Sequence, residues 1–355
     1  MNISKILYSN KSNDNYIKKT YFLGLLSYKK DKKSYGMVFR FCGLPILKKK
    51  ISKGNEKYYF LFLKIFQKSS RKYLYNIILR NINNNYNNIY VNYNCSGETY
   101  LYLAFIRPSQ DSVFIATKKY HIDLCKMMHP EIDCIYMPEI LPLRSIDNIY
   151  EEKYHNKTFY NVLPFKHFIR LENKICNDEN IHYCEEICKT IGIETNSAAL
   201  TPQISDNAKV TALEKAKRIG LNLENFVFLC PESQSNEDPA DDFWKNIIED
   251  FYNKGCDVFL NILNLQPKYG IAKTCFLTFE EAYYIASLSK EIIGLRSGFI
   301  EYLTAIQNVP ITCYYTDFKI RGKLEPISAK NVLTGFTLKK LPNSNINLIK
   351  EEIVK

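Results

Sequence analysis

From residue 89 to residue 191, the spacing of hydrophobic residues alternates between a pattern typical of strands and a pattern typical of helices. Short apolar runs, each typical of a buried strand, lie at 89–93, 112–116, 134–137 and 159–163. Apolar residues recur with helical spacing at 100–106, 120–128 and 181–191. Gly192 follows the last of these helices, where a glycine suits the C-terminal end. Strands that alternate with helices in this order predict a parallel sheet with right-handed crossovers.

The same alternation begins again in the second half of the chain. Runs typical of strands lie at 226–230, 257–263, 291–295 and 310–315. Helical patterns lie at 205–218, 241–253, 279–288, 299–307 and 348–354. Thr278 and Glu281 form a capping-box pattern before the helix at 279–288. The second half is therefore predicted to form a parallel sheet of its own.

A segment without periodicity, residues 196–207, separates the two halves and contains Pro202. We therefore expect an α/β protein with two Rossmann-like βα domains, residues 88–205 and 206–340, and a C-terminal helix within 341–355. The two domains are expected to face each other across a cleft. Ligands of open α/β sheets bind beside the carboxyl ends of the strands, so this cleft is the expected site.

One turn in the second half has the composition of an anion site. Arg296, Ser297 and Gly298 lie between the strand at 291–295 and the helix at 299–307. Unpaired N–H groups at a helix start favour phosphate, Gly298 permits close approach of a ligand, and Arg296 adds a forked positive charge. The same residues also fit an ordinary turn with a surface arginine. Both interpretations remain open from the sequence alone.

Residues 1–87 differ in composition from the rest and are predicted to form a basic, aromatic-rich extension and linker. Residues 1–90 contain 16 Lys and 3 Arg against three acidic residues, a net charge of +16, which leaves −5 for the other 265 residues of a chain with +11 overall. Aromatic and aliphatic blocks followed by lysines at 20–69 predict short strands or hairpins, or an amphipathic surface on lipid. Such charge suggests an anionic membrane, a nucleic acid or a charged glycolipid as partner.

The 11 cysteines are scattered through apolar runs, which is typical of buried thiols in a reducing cytoplasm. Cys176, His182, Cys184 and Cys188 form the densest group, but their spacing does not match common zinc sites. We expect no metal, and we expect Cys184 and Cys188 to share the buried face of a helix. Residues 1–19 lack the apolar core of a signal peptide, so the expected location is the cytoplasm, where the basic extension could hold the protein on the inner face of the membrane.

A series of motifs in the second half resembles the donor domain of GT-B glycosyltransferases. The similarity is greatest to family 9, the heptosyltransferase-type enzymes of bacterial surface polysaccharide assembly, and it extends over residues 88–320 in order and spacing rather than identity. The motifs are FVFLCPESQS at 226–235, FW at 243–244, GCDVFLN at 255–261, FEEAYYIASLS at 279–289 and IGLRSG at 293–298.

The resemblance implies roles for residues of the first half. Gly97 and Glu98 are similar to the family's Gly-Asp turn, whose aspartate is the proposed catalytic base. Here the position holds glutamate, one methylene longer, which can perform the same proton transfer or can simply favour the start of a helix. Thr99 and His167 are expected on the acceptor side.

The resemblance also implies a donor site. Glu301 is expected near the donor ribose hydroxyls, although it too could be a favourable charge at a helix start. Ser233 and Ser235 could donate hydrogen bonds to phosphate. The family has a positive side chain near this loop, whereas here the following stretch, 236–242, is acidic, so Arg296 is expected to supply the charge. We interpret the acidic stretch as a helix start rather than a metal site.

Together these features predict an inverting glycosyltransferase that uses a nucleotide-sugar donor and no cofactor. The expected acceptor is a lipopolysaccharide, a capsule or another lipid-linked saccharide. Three alternatives stay open: a sugar-nucleotide epimerase of the same fold, a basic nucleic-acid-binding protein, and a membrane-docked protein without activity. The epimerase would need several cleft histidines, and the chain has five in all. Nucleic-acid binding is less expected because no recognition motif accompanies the basic extension.

Overall fold

The structure is a computed structural model. It describes residues 8–354 except 13–15, 22–25, 32–36, 42–43, 53–54, 61–62, 147–148, 163–181, 195–197, 234–235, 241, 263–268 and 319–326, and side chains from Arg71 onward apart from Ser145 and Ile146. Three sheets are present in this part of the chain, of seven, five and six strands in chain order.

The first sheet is an antiparallel meander in which every strand pairs with the next one along the chain. Its strands are β1 (Tyr8–Ser12), β2 (Tyr16–Tyr21), β3 (Leu26–Asp31), β4 (Met37–Phe41), β5 (Leu44–Ser52), β6 (Asn55–Phe60) and β7 (Leu63–Ser69). The prediction of short strands at 20–69 is confirmed. The lysine-rich blocks thus belong to hairpins.

Helix α1 (Ser70–Asn81) follows the meander and was not predicted. Its residues Leu74, Tyr75 and Ile78 are fully buried against the second sheet. Their spacing, i, i+1 and i+4, places them on one face of a helix. Residues assigned from composition to the extension therefore belong to the core of the first βα half.

The second sheet has the order β10-β9-β8-β12-β11, and all its pairs are parallel except β11 with β12. The strands are β8 (Asn88–Asn92), β9 (Ser112–Ala116), β10 (Asp133–Tyr136), β11 (Glu151–Tyr154) and β12 (Lys157–Asn161). The helices are α2 (Ser96–Phe105), α3 (Lys119–Met128) and α4 (Tyr183–Thr190), with a 3-10 segment at Pro138–Ile146. The predicted parallel sheet is confirmed.

The third sheet has the order β15-β14-β13-β16-β17-β18 and is parallel throughout. The strands are β13 (Phe226–Cys230), β14 (Asp257–Leu260), β15 (Lys273–Thr274), β16 (Ile292–Leu295), β17 (Ile311–Tyr315) and β18 (Ile349–Ile353). The helices are α5 (Asp206–Arg218), α6 (Phe243–Asn253), α7 (Phe279–Leu288), α8 (Gly298–Leu303) and α9 (Ala329–Phe336). The capping box of Thr278 and Glu281 is present as predicted.

The predicted C-terminal helix is wrong. Residues 349–353 form β18, which extends the third sheet beside β17. Glu351 explains the difference, because its carboxylate accepts hydrogen bonds from the Tyr315 hydroxyl at 2.6 Å, the Thr337 hydroxyl at 2.7 Å and the Leu338 N–H at 2.8 Å. Pairing with a distant strand has overridden the local helical pattern.

Helix α2 connects the two βα halves. Its residues from Thr99 to Phe105 are all buried, and it packs against α3 and α4 on one side and α8 on the other. A helix that is apolar all around must be covered on every side. The buried residues of α2, such as Leu101, and of α8, such as Leu303, belong to one continuous hydrophobic core. The carboxyl ends of β8 and β16 consequently lie close together.

Candidate functional site

The turn between β8 and α2 is braced by buried polar side chains. The Asn92 side-chain amide donates to the Thr99 hydroxyl at 2.8 Å, and that hydroxyl donates to the Cys95 carbonyl at 2.7 Å. The Thr117 hydroxyl donates to the Asn92 carbonyl at 2.7 Å. Thr99, expected on the acceptor side, is fully buried beneath the turn. Its position holds the start of α2 in place.

Two glycines allow the starts of α2 and α8 to touch. A Cβ added to Gly298 would lie 2.5 Å from the Gly97 nitrogen and 2.7 Å from the Ser96 hydroxyl oxygen. A Cβ added to Gly97 would lie 3.1 Å from the Gly298 Cα and 2.7 Å from the Glu301 carboxyl carbon. Glycine is therefore required at both positions because the starts of α2 and α8 approach each other so closely. This contact brings together the predicted turns of the two halves.

Glu301 and Arg296 form a buried ion pair at this contact. Arg296 is 8% exposed and Glu301 is 1% exposed. The Arg296 guanidinium Nη2 donates to Glu301 Oε1, and the Tyr183 hydroxyl donates to Glu301 Oε2 at 3.3 Å. Arg296 is thus a buried residue and not an ordinary surface charge, while its role at an anion site stays a prediction.

Aromatic rings border the guanidinium of Arg296. The guanidinium carbon lies 4.6 Å from the ring centre of Phe336 and 5.6 Å from that of Tyr183. Cation–π contacts of this kind are strengthened when water is excluded. Tyr183 and Phe336 are site residues that sequence reasoning missed. No motif in the sequence points to these two residues, because Tyr183 lies at the start of α4 and Phe336 at the end of α9.

Glu98 lies in the first turn of α2, next to Gly97. Its Oε2 is shielded from solvent and has no hydrogen-bond partner among the described residues. Burial raises the pKa of Glu98, against the opposing effects of Arg296 and Lys118. Burial also raises the pKa of Glu301 to about 7, with Arg296 opposing and Glu98 adding to the rise. The contact thus holds two carboxyl groups and one guanidinium in a poorly hydrated space.

Lys118 adds a positive charge on the side of the first half. Its Nζ donates to the Asn94 carbonyl at 2.7 Å and to the Tyr120 hydroxyl at 2.8 Å. His121 Nε2 also lies 3.0 Å from the Asn94 carbonyl oxygen. Burial lowers the pKa of His121 to about 3, so this imidazole is neutral. Lys118 follows β9 at its carboxyl end, the position that would have identified it from the sequence.

The other predicted site residues have separate surroundings. The Ser297 hydroxyl caps α8 by accepting from the Ile300 N–H. Ser233 follows β13, the strand beside β16, and its hydroxyl accepts from the Asn236 N–H at 3.3 Å. The acidic stretch that we interpreted as a helix start ends at Asp242, which stands before α6 without a side-chain cap. Ser235 and His167 lie outside the described residues.

The described cysteines are free thiols, and Cys184 and Cys188 are both buried on α4 as predicted. Within the described residues, no three His, Cys, Asp or Glu side chains are grouped closely enough to hold a metal ion. No helix in the described part of the chain is long and apolar enough to span a bilayer.

Comparisons with known proteins give likenesses of fold. No family model matches the chain, and no curated protein matches its sequence. Among solved structures, the chain is similar to a family 9 glycosyltransferase from Veillonella parvula, with 13% identity, a TM-score of 0.43, and coverage of 65% of this chain and 82% of that chain. It is also similar to ADP-heptose lipopolysaccharide heptosyltransferase II from E. coli, with 13% identity, a TM-score of 0.45, and coverage of 75% and 90%.

Proposed function

We propose that the protein is an inverting glycosyltransferase that takes a sugar from a nucleotide-sugar donor. The observation that carries this proposal is that Glu98 and Arg296 belong to the two turns that touch at Gly97 and Gly298. One follows the carboxyl end of β8, the other follows that of β16, and the two come from different βα halves. A base and a cation placed on opposite sides of one junction are what transfer from a diphosphate to a hydroxyl requires.

In this mechanism, an acceptor hydroxyl attacks the anomeric carbon of the donor sugar. Its proton passes to Glu98 as the new glycosidic bond forms, and the bond to the diphosphate breaks. A raised pKa makes the Glu98 carboxylate a stronger base than an exposed carboxylate. Arg296 stabilises the negative charge on the departing nucleoside diphosphate. Ser297, Gly298, Ser233 and Ser235 are proposed to line the donor side, and Gly97 and His167 the acceptor side, while the buried Thr99 holds the turn from beneath.

Three of the five histidines favour transfer over epimerisation. His121, His129 and His182 are buried, and each has a ring nitrogen within 3.1 Å of a backbone carbonyl oxygen. Burial lowers the pKa of all three. Such histidines serve the fold and are poorly placed to exchange protons with a sugar. The epimerase alternative depends on histidines that are free to do so.

The acceptor is proposed to be a saccharide of a surface polysaccharide or glycolipid. The net charge of +16 in residues 1–90 supports an anionic partner, and we propose the inner face of the cytoplasmic membrane. A cytoplasmic location also agrees with the free thiols of the described cysteines. No metal or other cofactor is proposed.

The proposal is tested by donor binding and turnover with matched variants. A thermal-shift series of nucleoside diphosphates and nucleotide sugars should show stabilisation by one base, and Arg296→Ala should remove it. Glu98→Gln should lower kcat by about 100- to 10,000-fold while donor binding persists. Full activity of Glu98→Gln would remove this residue from the mechanism. A lack of response to every nucleotide would argue against a transferase.

A further inference from the structure

The carboxyl group of Glu301 lies where a helix start would favour an anion. It is close to Gly97, the second residue of α2, a helix of ten residues. The first N–H groups of a helix have no partner within the helix, and they attract negative charge. The Glu98 carboxyl interacts with the backbone N–H groups of Cys95 and Glu98 at this helix start. Glu301 brings a second carboxyl group, from the other half, to the same helix start beside Gly97.

Arg296 has hydrogen-bonding capacity left over at this point. Its guanidinium contacts Glu301 through Nη2, while its Nε is buried and has no hydrogen-bond partner among the described residues. A guanidinium offers five donors in a forked arrangement that suits phosphate. A single carboxylate leaves part of that arrangement unused. A larger anion with more oxygens would satisfy it better.

We propose that Glu301 is an internal anion that occupies a phosphoryl-binding position formed by Arg296 and the start of α2, and that an incoming diphosphate displaces it. The ligand class follows from the donors, a forked guanidinium and helix N–H groups, which suit phosphoryl oxygens. The inference rests on the proposed function for one point, that the natural ligand is a nucleoside diphosphate. The position itself belongs to α2 of the first half, and it would place the diphosphate between the two halves.

The inference is tested by the binding of inorganic pyrophosphate to the full-length protein, measured calorimetrically at pH 8 and physiological salt. Glu301→Gln removes the competing charge, and we expect pyrophosphate to bind about tenfold more tightly than to the wild type. Tyr183→Phe removes the hydroxyl that holds Glu301 but keeps the ring over Arg296, so a smaller gain in the same direction is expected. This second variant decides the question if Glu301→Gln fails to fold.

Two controls separate the site from other effects. Glu281 is an equally buried carboxylate, 5% exposed and paired with Lys215 at 2.6 Å, so Glu281→Gln should leave pyrophosphate affinity unchanged. Adding Arg296→Gln to Glu301→Gln should remove the gain, whereas weak binding to the basic extension would persist. Equal or weaker binding in both Glu301→Gln and Tyr183→Phe, or a gain that survives loss of Arg296, would overturn the inference.

The outcomes for the site and for the reaction are distinguishable, because pyrophosphate contains neither sugar nor base. A gain in pyrophosphate affinity without any turnover of nucleotide sugars would support the internal anion and refute the transferase. Measured sugar transfer without the gain in pyrophosphate affinity would support the transferase and refute the internal anion.

Discussion

Glu301 is a side chain whose ionisation should respond to pH near neutrality. Its pKa is raised from an ordinary value of 4.5 to about 7, chiefly by burial, while Arg296 and Tyr183 lower it and Glu98 raises it. The folded protein therefore binds an extra proton between about pH 4.5 and pH 7, and a stability penalty develops as the pH rises through that range.

We expect the wild type to become more stable relative to Glu301→Gln as the pH falls from 8 to 5. The glutamine cannot ionise, so the comparison largely removes the titration of groups elsewhere. Urea unfolding of both proteins at intervals across this range would measure the difference in the free energy of unfolding. A difference that stays constant with pH would mean that Glu301 is ionised in the folded protein throughout this range, as it is in the unfolded chain.

At the scale of single residues, the sequence could locate Glu98 and Arg296 but not the aromatic residues beside Arg296. Both follow a predicted parallel strand, and the ends of such strands are where ligands bind. Tyr183 and Phe336 contact Arg296 from places with no comparable signal. The Glu301 contact with Tyr183 joins residues 118 positions apart. Hydrophobic spacing describes local structure and contains no information about such a pair.

At the scale of secondary structure, the buried elements were predictable and the edges were not. Strand β13 is buried at all five positions, so its apolar run identified it. Strand β18 has only one buried residue of five, Ile349, and its polar positions were compatible with a helix. What makes it a strand is its pairing with β17 and the three donors that meet Glu351. Tertiary contacts decide such marginal segments.

Glu351→Ala should therefore destabilise the protein by about 3 kcal/mol, because partly buried donors would lose a charged acceptor. Glu352→Ala is the matched control one residue along. Glu352 forms a surface ion pair with Lys350 at 2.5 Å, and its loss should cost less than about 1 kcal/mol. Denaturant unfolding of both variants tests the comparison. Equal losses would show that β18 does not depend on Glu351.

At the scale of the whole molecule, the two βα halves meet where α2 packs against α8, α3 against α7 and α4 against α9, and the first of these contacts forms the candidate site. Helix α2 packs against α8, and the two helix starts meet at Gly97 and Gly298. The motif order predicted two domains that face each other. It could not predict how closely they approach, because that depends on the absence of two Cβ atoms and on the carboxyl group of Glu301.

Gly298→Ala tests this dependence directly. The new methyl group would meet the Gly97 nitrogen at 2.5 Å, and backbone cannot yield as a flexible side chain does. We expect a loss of about 1–3 kcal/mol from overpacking, together with loss of nucleotide binding because Arg296 and the start of α2 move apart. Gly255→Ala is the control: its φ of +72° makes alanine unfavourable, but open space surrounds its missing Cβ. That variant should lose stability while it keeps nucleotide binding. If Gly298→Ala also kept nucleotide binding, the site would belong to one half alone, and the contact between the halves would serve stability only.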